Sequence, residues 1–563
     1  MENLPQHLQK YIVEQNYAKY TPIDHAVWRY VLRQLRSFLK VHAHESYLDG
    51  LEKTGIEIEK IPSIASISEK LQKFGWRALP VSGFIPPAAF MELQSLNVLP
   101  IASDMRSIDH LLYTPAPDIV HEAAGHAPIL VHPEYAEYLR QYAQVAKKAI
   151  LSKEDLDQYE AIRTLSDLKE NPNSTAEEIA DAEENLSYVS SKMTSISEAA
   201  ELSRMNWWTA EYGLIGDVNN YKIYGAGLLS SKGESKLCIS DKVKKIPMSI
   251  KCVQQGYDIT EPQPQLFVTK DFKTLVDVLK QMSEGMAYRQ GGTKGLDKAI
   301  KARSLNTVQL DTNIQISGQL EKYVLDSSGH VSYLKFSGPT QLSFKDIQIP
   351  GHGKDYHKDG YSTPLGDLIG QDFKDLKVGK NYFLKYTSGV QVDGTLEKIT
   401  KLDKTSILLT FSKATSILKG EILFKPDWGN YDIVVGKKII SVFGGPADRV
   451  AYGETVDFIA AKVVAPVYTD AQKKLFKIYQ DVRDYRGSKR PSQIGFDNLI
   501  KKVISEAADQ WLLFVELFEL ATAHNFSESS KDLITQHLET LRLRDQKTND
   551  LIQDGINLSH ETN

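Results

Sequence analysis

The spacing of apolar residues predicts helices over most of the first 300 positions. Thr21-Pro22-Ile23-Asp24 is typical of a helix start, and apolar residues recur at helical spacing over 25–41. The segment 133–201 is also strongly helix-forming, with a break at 171–175. Because Thr175-Ala-Glu-Glu is a second helix-start signal, we expect a helical hairpin on either side of this break.

Further along, the pattern changes to strand-like alternation and then returns to helix. Polar and apolar residues alternate in three runs separated by Gly and Asp turns, at 314–324, 380–386 and 406–411. After Pro466, helical spacing predicts helices over 470–485, 496–524 and 530–550. The pattern therefore predicts a multi-domain protein with a mainly α first domain (1–305), a β-rich domain of unknown role (306–465) and a helical C-terminal region (466–563).

Composition and charge exclude several classes of protein. Hydrophobic residues make up 42% and charged residues 25% of the 563 positions, which is typical of a folded globular chain. The 67 basic and 72 acidic residues nearly balance, so no footprint for nucleic acid is visible. No apolar run approaches the roughly 20 residues of a membrane span. The most apolar late stretch, 511–515, is followed by Glu516 and Glu519 and predicts an amphipathic helix.

Cysteine usage indicates the compartment. Cys238 and Cys252 are the two cysteines, which provide neither a disulfide framework nor a cysteine-based zinc site. The first residues, MENLPQHLQK, lack the basic and apolar regions of a secretory signal. We therefore expect a cytoplasmic protein with neither a nucleic acid nor a membrane as partner.

The densest chemical signal is a pair of histidines, His121 and His126, beside Glu122. Zincins place their histidines four residues apart on one face of a helix. A spacing of five rotates the second histidine by about 140° on an ideal α-helix, so a regular zincin helix does not fit. The alternative is a pair at the edge of a helix start, with Asp118 as its cap.

Two histidines and a distant carboxylate would form the facial triad of non-haem Fe(II) oxygenases. The best third ligand is Glu211, which lies among aromatic and apolar residues where a purely solvating charge is disfavoured. These three residues alone do not establish a metal site, because histidines on helices are often ordinary core or surface residues.

Four segments, in order, resemble the pterin-dependent aromatic amino acid hydroxylases. They are YTPAPDIVHEAAGHAP from Tyr113, WWTAEYGL from Trp207, YGAGLLSSKGE from Tyr224 and TEPQPQLFV from Thr260. The resemblance covers about residues 1–300. It implies a mostly helical catalytic domain that holds one Fe(II) through His121, His126 and Glu211, which are also its catalytic residues.

The resemblance also implies binding residues for the substrate and the pterin. Arg106 and Thr114 correspond to the substrate-carboxylate site, and a guanidinium suits a carboxylate. Pro117 and Trp207 correspond to the aromatic pocket. Ser230 corresponds to a residue of the same site that supports a ligating histidine. The residues that correspond to the pterin site are Gly83, Ile85, Phe90 and Glu122.

The function implied is that of an Fe(II)- and tetrahydropterin-dependent monooxygenase. It would use O2 to hydroxylate the ring of a free aromatic amino acid, most simply phenylalanine to tyrosine. The alternatives are a tryptophan or tyrosine hydroxylase and, from another class, a zinc hydrolase that uses His121, Glu122 and His126.

The chain also departs from the family pattern. His126 and Glu211 are 85 positions apart, about twice the expected spacing, so the hairpin at about 152–197 is predicted to be an insertion. Pro100 stands where some relatives carry histidine, and Asn206 where many carry an aromatic residue. Residues 306–563 lie outside the resemblance. Two interpretations stay open for them: a module that binds a partner, a ligand or another subunit, and an accessory domain with a structural role.

Overall fold

A computed structural model describes residues 4–81, 85–111, 117–170, 174–259, 261–453 and 468–561. In its first part, helices surround two small sheets. The helices are α1 (Gln6–Gln9), α2 (Pro22–His42), α3 (Ser46–Thr54), α4 (Ile64–Leu71), α5 (Pro87–Ser95), α6 (Ala127–Ile129), α7 (Pro133–Ala146), α8 (Lys153–Glu170), α9 (Ala176–Ser191), α10 (Glu198–Asn206), α11 (Ala226–Leu229), α12 (Lys232–Cys238), α13 (Phe272–Glu284), α14 (Ala287–Gln290) and α15 (Gly292–Ala302).

The strands of this part are short. They are β1 (Arg77–Val81), β2 (Val98–Ala102), β3 (Leu214–Asp217), β4 (Asn220–Ile223), β5 (Lys244–Pro247) and β6 (Gln265–Thr269). β1 and β2 pair in parallel, and the other four form a sheet in the order β4-β3-β6-β5.

The helix predicted at 25–41 is confirmed as α2, and its start follows from local chemistry. The Thr21 hydroxyl accepts a hydrogen bond from the Asp24 backbone N–H (3.2 Å), and the Asp24 carboxylate accepts one from the Thr21 N–H (2.7 Å). This reciprocal cap satisfies donors that a helix start leaves unpaired. The predicted hairpin helices are also present, as α8 and α9 on either side of 171–175.

The middle of the chain consists of two antiparallel sheets. Their strands are β7 (Leu305–Leu310), β8 (Ile314–Leu325), β9 (Val331–Phe344), β10 (Ile347–Gln348), β11 (Gly360–Pro364), β12 (Asn381–Lys385), β13 (Gln391–Lys401), β14 (Ile407–Leu418), β15 (Glu421–Phe424), β16 (Tyr431–Val434) and β17 (Ile439–Gly444). One sheet has the order β10-β9-β8-β7-β17 with β11 on β9, and the other has the order β12-β13-β14-β15 with β16 on β14. The three alternating runs of the sequence lie in β8, β12 and β14.

The C-terminal helices are α16 (Arg449–Tyr452), α17 (Asp470–Arg486), α18 (Gln493–Glu506), α19 (Trp511–Ala523), α20 (Glu528–Arg542) and α21 (Gln546–His560). The single helices predicted at 496–524 and 530–550 are wrong, since each is two helices. The turn 507–510 separates the first pair, and Asp545, whose carboxylate accepts the Thr548 N–H, caps the start of α21.

The amphipathic helix predicted from 511 onward needs a correction. α19 is buried over nearly its whole surface, with Glu516 among its buried residues. Its apolar side chains belong to the same continuous core as Val27 and Leu35 of α2. The last helices therefore complete the core of the first part of the chain. Within the described residues, none of the helices combines the length and apolarity needed to cross a bilayer.

Contacts also join the β sheets to the first part. The Gly444 N–H, at the end of β17, donates to the Lys148 carbonyl (3.1 Å). Arg449 of α16 pairs with Glu92 of α5 at 3.2 Å. These bonds attach the sheets to the helices that precede them.

Candidate metal centre and substrate site

The two histidines lie on a helical turn that is wound more loosely than an α-helix. Val120–His126 forms a π-helix, in which hydrogen bonds join residues five apart. This winding brings positions i and i+5 towards the same face, whereas an α-helix would separate them by about 140°. The five-residue spacing of His121 and His126 is therefore the spacing that aims both rings into one site. Asp118 lies at the start of this turn, as expected, and accepts the His121 N–H (3.1 Å).

Glu211 lies on a second π-helical segment, Trp207–Glu211, which ends with the Tyr212 N–H donating to the Trp207 carbonyl at 2.8 Å. The two segments meet at a triangle of donor atoms. His121 Nε2 and His126 Nε2 are 3.2 Å apart, and they lie 3.3 and 3.4 Å from the Glu211 carboxylate oxygens. Donor atoms about 2.1 Å from one ion lie roughly 3.0–3.4 Å apart in octahedral or tetrahedral geometry. The three residues thus fit a single divalent metal ion.

The charges of the site suit a cation. Burial opposes ionisation of Glu211, but the adjacent His126 and His121 outweigh it and hold the pKa of this carboxyl well below its usual range. Burial raises the pKa of the neighbouring Glu122 to about 8. Glu122 Oε2 is buried and makes no hydrogen bond within the described residues.

Ser230 determines which nitrogen of His121 faces the site. Its Oγ donates to the Ala226 carbonyl (2.7 Å) and lies 3.0 Å from His121 Nδ1. Because the hydroxyl proton is used at Ala226, Ser230 accepts the Nδ1–H, which leaves the lone pair of His121 Nε2 free for a metal. A hydrogen-bonded second nitrogen is usual for metal-binding histidines. Ser230 therefore supports His121, as the resemblance implies.

Two glycines allow the ligand segments to approach α11. A Cβ on Gly125 would lie 2.7 Å from the Ala226 carbonyl oxygen, and one on Gly225 would lie 2.4 Å from the Glu211 carbonyl oxygen. Both contacts are with backbone atoms, which cannot rotate away. The two glycines thus permit the close backbone packing that holds the ligands together.

Arg106 is buried and forms a two-point ion pair with Asp118. Its Nε and Nη2 donate to the two carboxylate oxygens, each at 2.7 Å. This pair holds the pKa of Asp118 below its usual value in spite of burial. Nη1 takes no part in this ion pair and is the group left for a further carboxylate. Pro117 precedes Asp118 and is partly exposed, whereas Thr114 lies outside the described residues.

Trp207 is held rigidly at the other side of the site. Its ring stacks on Tyr257 (centroids 4.3 Å apart, planes at 9°) and on Tyr212 (4.6 Å, 27°). Its Nε1 donates to Gln263 Oε1 at 3.3 Å. Asn206, the departure noted in the sequence, donates from Nδ2 to Glu211 Oε1 at 3.3 Å.

Of the residues expected at the pterin site, Glu122 interacts electrostatically with the metal ligands His126 and Glu211. Ile85 is buried in an apolar cluster around α1 and α5 that includes Leu8 and Leu93, and Phe90 packs against it. Gly83 lies outside the described residues.

Sequence reasoning missed three contributors to the site. Asp118 was predicted only as a helix cap, and its pairing with Arg106 joins two side chains 12 positions apart in the sequence. Tyr257 and Gln263 lie about 50 positions from Trp207, and no local pattern connects them with it. Gln263 does lie inside the fourth motif, which was the available signal.

Comparisons with known proteins identify the family of the first half of the chain. The model of the family "Biopterin-dependent aromatic amino acid hydroxylase" matches residues 9–160 and 172–290. The phenylalanine-4-hydroxylase of Mesorhizobium japonicum is 28% identical over 294 residues, which are 51% of this chain and 90% of that protein. The enzyme of the same name from Pseudomonas aeruginosa is 28% identical over 270 residues, 48% of this chain and 86% of that one.

Among solved structures, one similar chain is the phenylalanine hydroxylase of Chromobacterium violaceum, which was determined with bound iron(III) and 7,8-dihydrobiopterin. It is 25% identical, covers 50% of this chain and 86% of its own, and has a TM-score of 0.39. The family match ends at residue 290, so residues 306–563 lie outside it. Through its N-terminal half, residues 9–290, the chain belongs to the family of biopterin-dependent aromatic amino acid hydroxylases.

Proposed function

We propose that this protein is an Fe(II)- and tetrahydropterin-dependent monooxygenase that hydroxylates the ring of free phenylalanine to form tyrosine. The observation that carries the proposal is the triangle of His121, His126 and Glu211, with donor atoms 3.2–3.4 Å apart, inside the segment that matches the family. The names of the curated relatives favour phenylalanine over tryptophan and tyrosine.

The three ligands would hold the iron by one face. Two neutral imidazoles and one carboxylate supply a single negative charge and leave further coordination positions open. When bound, the iron supplies, with the pterin and O2, the oxidising chemistry that the amino acid side chains lack. Ser230 keeps His121 in the tautomer whose Nε2 lone pair points to the metal.

Arg106 would bind the substrate carboxylate. Asp118 holds the guanidinium in place through two hydrogen bonds, and Nη1 remains available for the incoming anion. Thr114 would assist at this end. Pro117 and Trp207 would hold the aromatic ring, and the stacking of Trp207 between Tyr212 and Tyr257 keeps it rigid without substrate.

For the pterin we propose Gly83, Ile85, Phe90 and Glu122. The support from this structure is strongest at Glu122, whose buried Oε2 has no hydrogen-bond partner in the described part of the chain and adjoins the metal ligands. A ligand that hydrogen-bonds this oxygen would remove the cost of burying it unpaired.

The domain organisation is part of the proposal. Residues 1–305 would form a mainly α catalytic domain with a helical insertion at about 152–197, followed by a β-rich domain (306–465) and a helical region (466–563). The C-terminal region would also carry any homo-oligomer contact. The free, buried thiols of Cys238 and Cys252 are in keeping with a cytoplasmic protein.

The test is to load the purified protein with Fe(II), supply tetrahydropterin and O2, and measure product from phenylalanine, tyrosine and tryptophan in parallel. We expect tyrosine from phenylalanine, at least 1000-fold less in His121→Ala, and an unchanged rate in His330→Ala, a matched exposed histidine. Product from tryptophan alone, or from tyrosine alone, would show that this amino acid, and not phenylalanine, is the substrate. Bound zinc with peptide cleavage and without pterin dependence would favour the hydrolase instead.

A further inference from the structure

A second cluster of two histidines and a carboxylate lies in the β sheets, remote in sequence from the first. His352 and His357 are on the segment 351–359 between β10 and β11, and Asp432 is on β16. All three are buried, with 5%, 8% and 3% of their surface exposed. His352 Nδ1 lies 3.3 Å from His357 Nε2 and 3.9 Å from Asp432 Oδ2, and the three donor atoms all lie within 4.8 Å of one another.

The surrounding sheet positions each donor. Thr410, which faces Asp432 across the β14–β16 pair, donates from Oγ1 to Asp432 Oδ1 at 2.6 Å and so turns Oδ2 towards the histidines. The backbone carbonyls of His352 and His357 accept the N–H groups of Leu342 (2.9 Å) and Thr340 (3.1 Å). The segment that carries the histidines is thereby tied to β9.

Hydrogen bonding among these groups leaves the cluster incompletely satisfied. Asp432 Oδ2 is buried and makes no hydrogen bond of ordinary length and angle within the described residues. The Tyr356 hydroxyl interacts with this carboxylate as a more distant donor, and Lys398 is an electrostatic neighbour. A hydrogen bond from one imidazole N–H to the nitrogen of the other ring satisfies His352 and His357 but leaves Asp432 Oδ2 without a donor. An unpaired buried carboxylate oxygen is costly, so the arrangement needs a further group.

A metal ion would satisfy all three lone pairs at once. The 3.3 Å between the histidine nitrogens matches donors about 2.1 Å from a tetrahedral ion, which lie roughly 3.4 Å apart. Asp432 Oδ2 lies further out, and a small shift of the carboxylate towards the rings would bring it to that spacing. Two imidazoles and one carboxylate are ligands that zinc accepts, with water in the fourth position.

We propose that His352 Nδ1, His357 Nε2 and Asp432 Oδ2 bind a divalent ion of the zinc type, which is distinct from the iron of the catalytic centre. The ion links the segment 351–359 to β16 and stabilises the β sheets. The Tyr356 ring packs edge-on against both histidine rings. The site is independent of the proposed function, because none of its residues belongs to the segment that matches the family.

The test uses full-length protein in which His121→Ala and His126→Ala remove the first site. The metal-free protein is titrated with Co²⁺ and Zn²⁺, and bound metal is counted by mass spectrometry after gel filtration. We expect one ion per chain, against two in the wild type. Adding His357→Gln or Asp432→Asn should weaken binding at least 100-fold, whereas His330→Gln, whose side chain is 79% exposed, should leave it unchanged. Undiminished binding in the His357→Gln and Asp432→Asn proteins would overturn the proposal.

Two further measurements keep the proposal testable should those variants fold poorly. Thr410→Val leaves the three ligands intact and should weaken Co²⁺ binding about tenfold, since it releases the Asp432 carboxylate. X-ray absorption of the zinc-loaded His121→Ala/His126→Ala protein should show two imidazoles in the first shell. A shell without imidazole, or zinc binding below one ion per five chains, would also overturn the proposal.

Discussion

Arg29 of α2 and Glu519 of α19 form a buried ion pair across 490 positions of the chain. Arg29 Nη1 donates to Glu519 Oε2 at 2.6 Å, Nη2 donates to Oε1, and Arg33 contacts the same carboxylate. Burial opposes ionisation of Glu519, but its bonds with Arg29 outweigh this and lower its pKa. The C-terminal helices are thus joined to the catalytic half by charge as well as by apolar packing.

Glu519→Gln is expected to lower the free energy of unfolding by about 3 kcal/mol, because the buried guanidinium of Arg29 and the partly buried one of Arg33 both lose this charged partner. Urea denaturation followed by circular dichroism measures this. Glu528→Gln, in an exposed pair with Lys531, should change it by less than about 0.5 kcal/mol. Equal effects of the two substitutions would show that the buried pair has no special role.

Deletion of 466–563 is expected to give an insoluble or aggregated protein. The deletion exposes the face of α2 that packs against α17 and α21, and Val27 and Leu35 belong to the core that these helices share. Expression in the soluble fraction, with gel filtration of whatever is recovered, measures the effect. A monodisperse truncated protein with the melting temperature of the full chain would contradict this prediction.

Ser230→Ala is expected to weaken metal binding by about 10- to 100-fold, because His121 loses the acceptor that orients its ring. Titration of the metal-free protein with Co²⁺ reports the affinity directly, without reliance on turnover. Ser240→Ala is the matched control, since the Ser240 hydroxyl donates only to a nearby backbone carbonyl, that of Leu237. Identical affinities in the two variants would remove Ser230 from the metal site.

Gly125→Ala is expected to destabilise the fold by about 1–3 kcal/mol and to reduce metal binding, because its Cβ would lie 2.7 Å from the Ala226 carbonyl oxygen. Gly233→Ala in α12 is the control, since a Cβ there meets nothing within 4 Å. Alanine should stabilise that helix by up to about 1 kcal/mol. Thermal melting and Co²⁺ titration of both variants test the contrast, which a harmless Gly125→Ala would contradict.

Glu234 is expected to make stability fall as pH rises from about 4.5 to 7. Burial raises the pKa of its carboxyl from 4.5 to about 7, so in this window the folded state binds more protons than the unfolded state. Glu234→Gln removes this pH-dependent contribution to stability. Its melting temperature relative to the wild type should therefore be higher at pH 8 than at pH 4.5. A difference that does not vary with pH would contradict the assignment.

Local sequence patterns were sufficient for the elements whose bonds are local. The cap of α2 depends on Thr21 and Asp24, three positions apart, and both the pattern and the structure show it. The alternating runs in β8, β12 and β14 likewise reflect side chains that point to opposite faces in turn. The four motifs named the family because they hold the residue types that the chemistry requires.

Other features depended on contacts that no local pattern encodes. α-Helical winding would turn His121 and His126 to different faces. The π-helix that aligns them forms where the ligand segments pack against α11. α19 was expected to expose one face, yet Arg29 and Arg33 of α2 pair with its Glu519. The second cluster repeats the five-residue histidine spacing, but its Asp432 comes from a strand 75 positions beyond His357.

The sequence alone therefore determined the family of this protein and the helices and strands whose signals are local, such as α2, β8 and β14. The tertiary structure decided which distant groups meet, namely Arg106 with Asp118, α2 with α19, and His352 and His357 with Asp432. The physical reason is that residue identity and short-range spacing set local hydrogen bonds and apolar faces. The pairing of buried charges depends on how whole elements pack, which is a property of the complete chain.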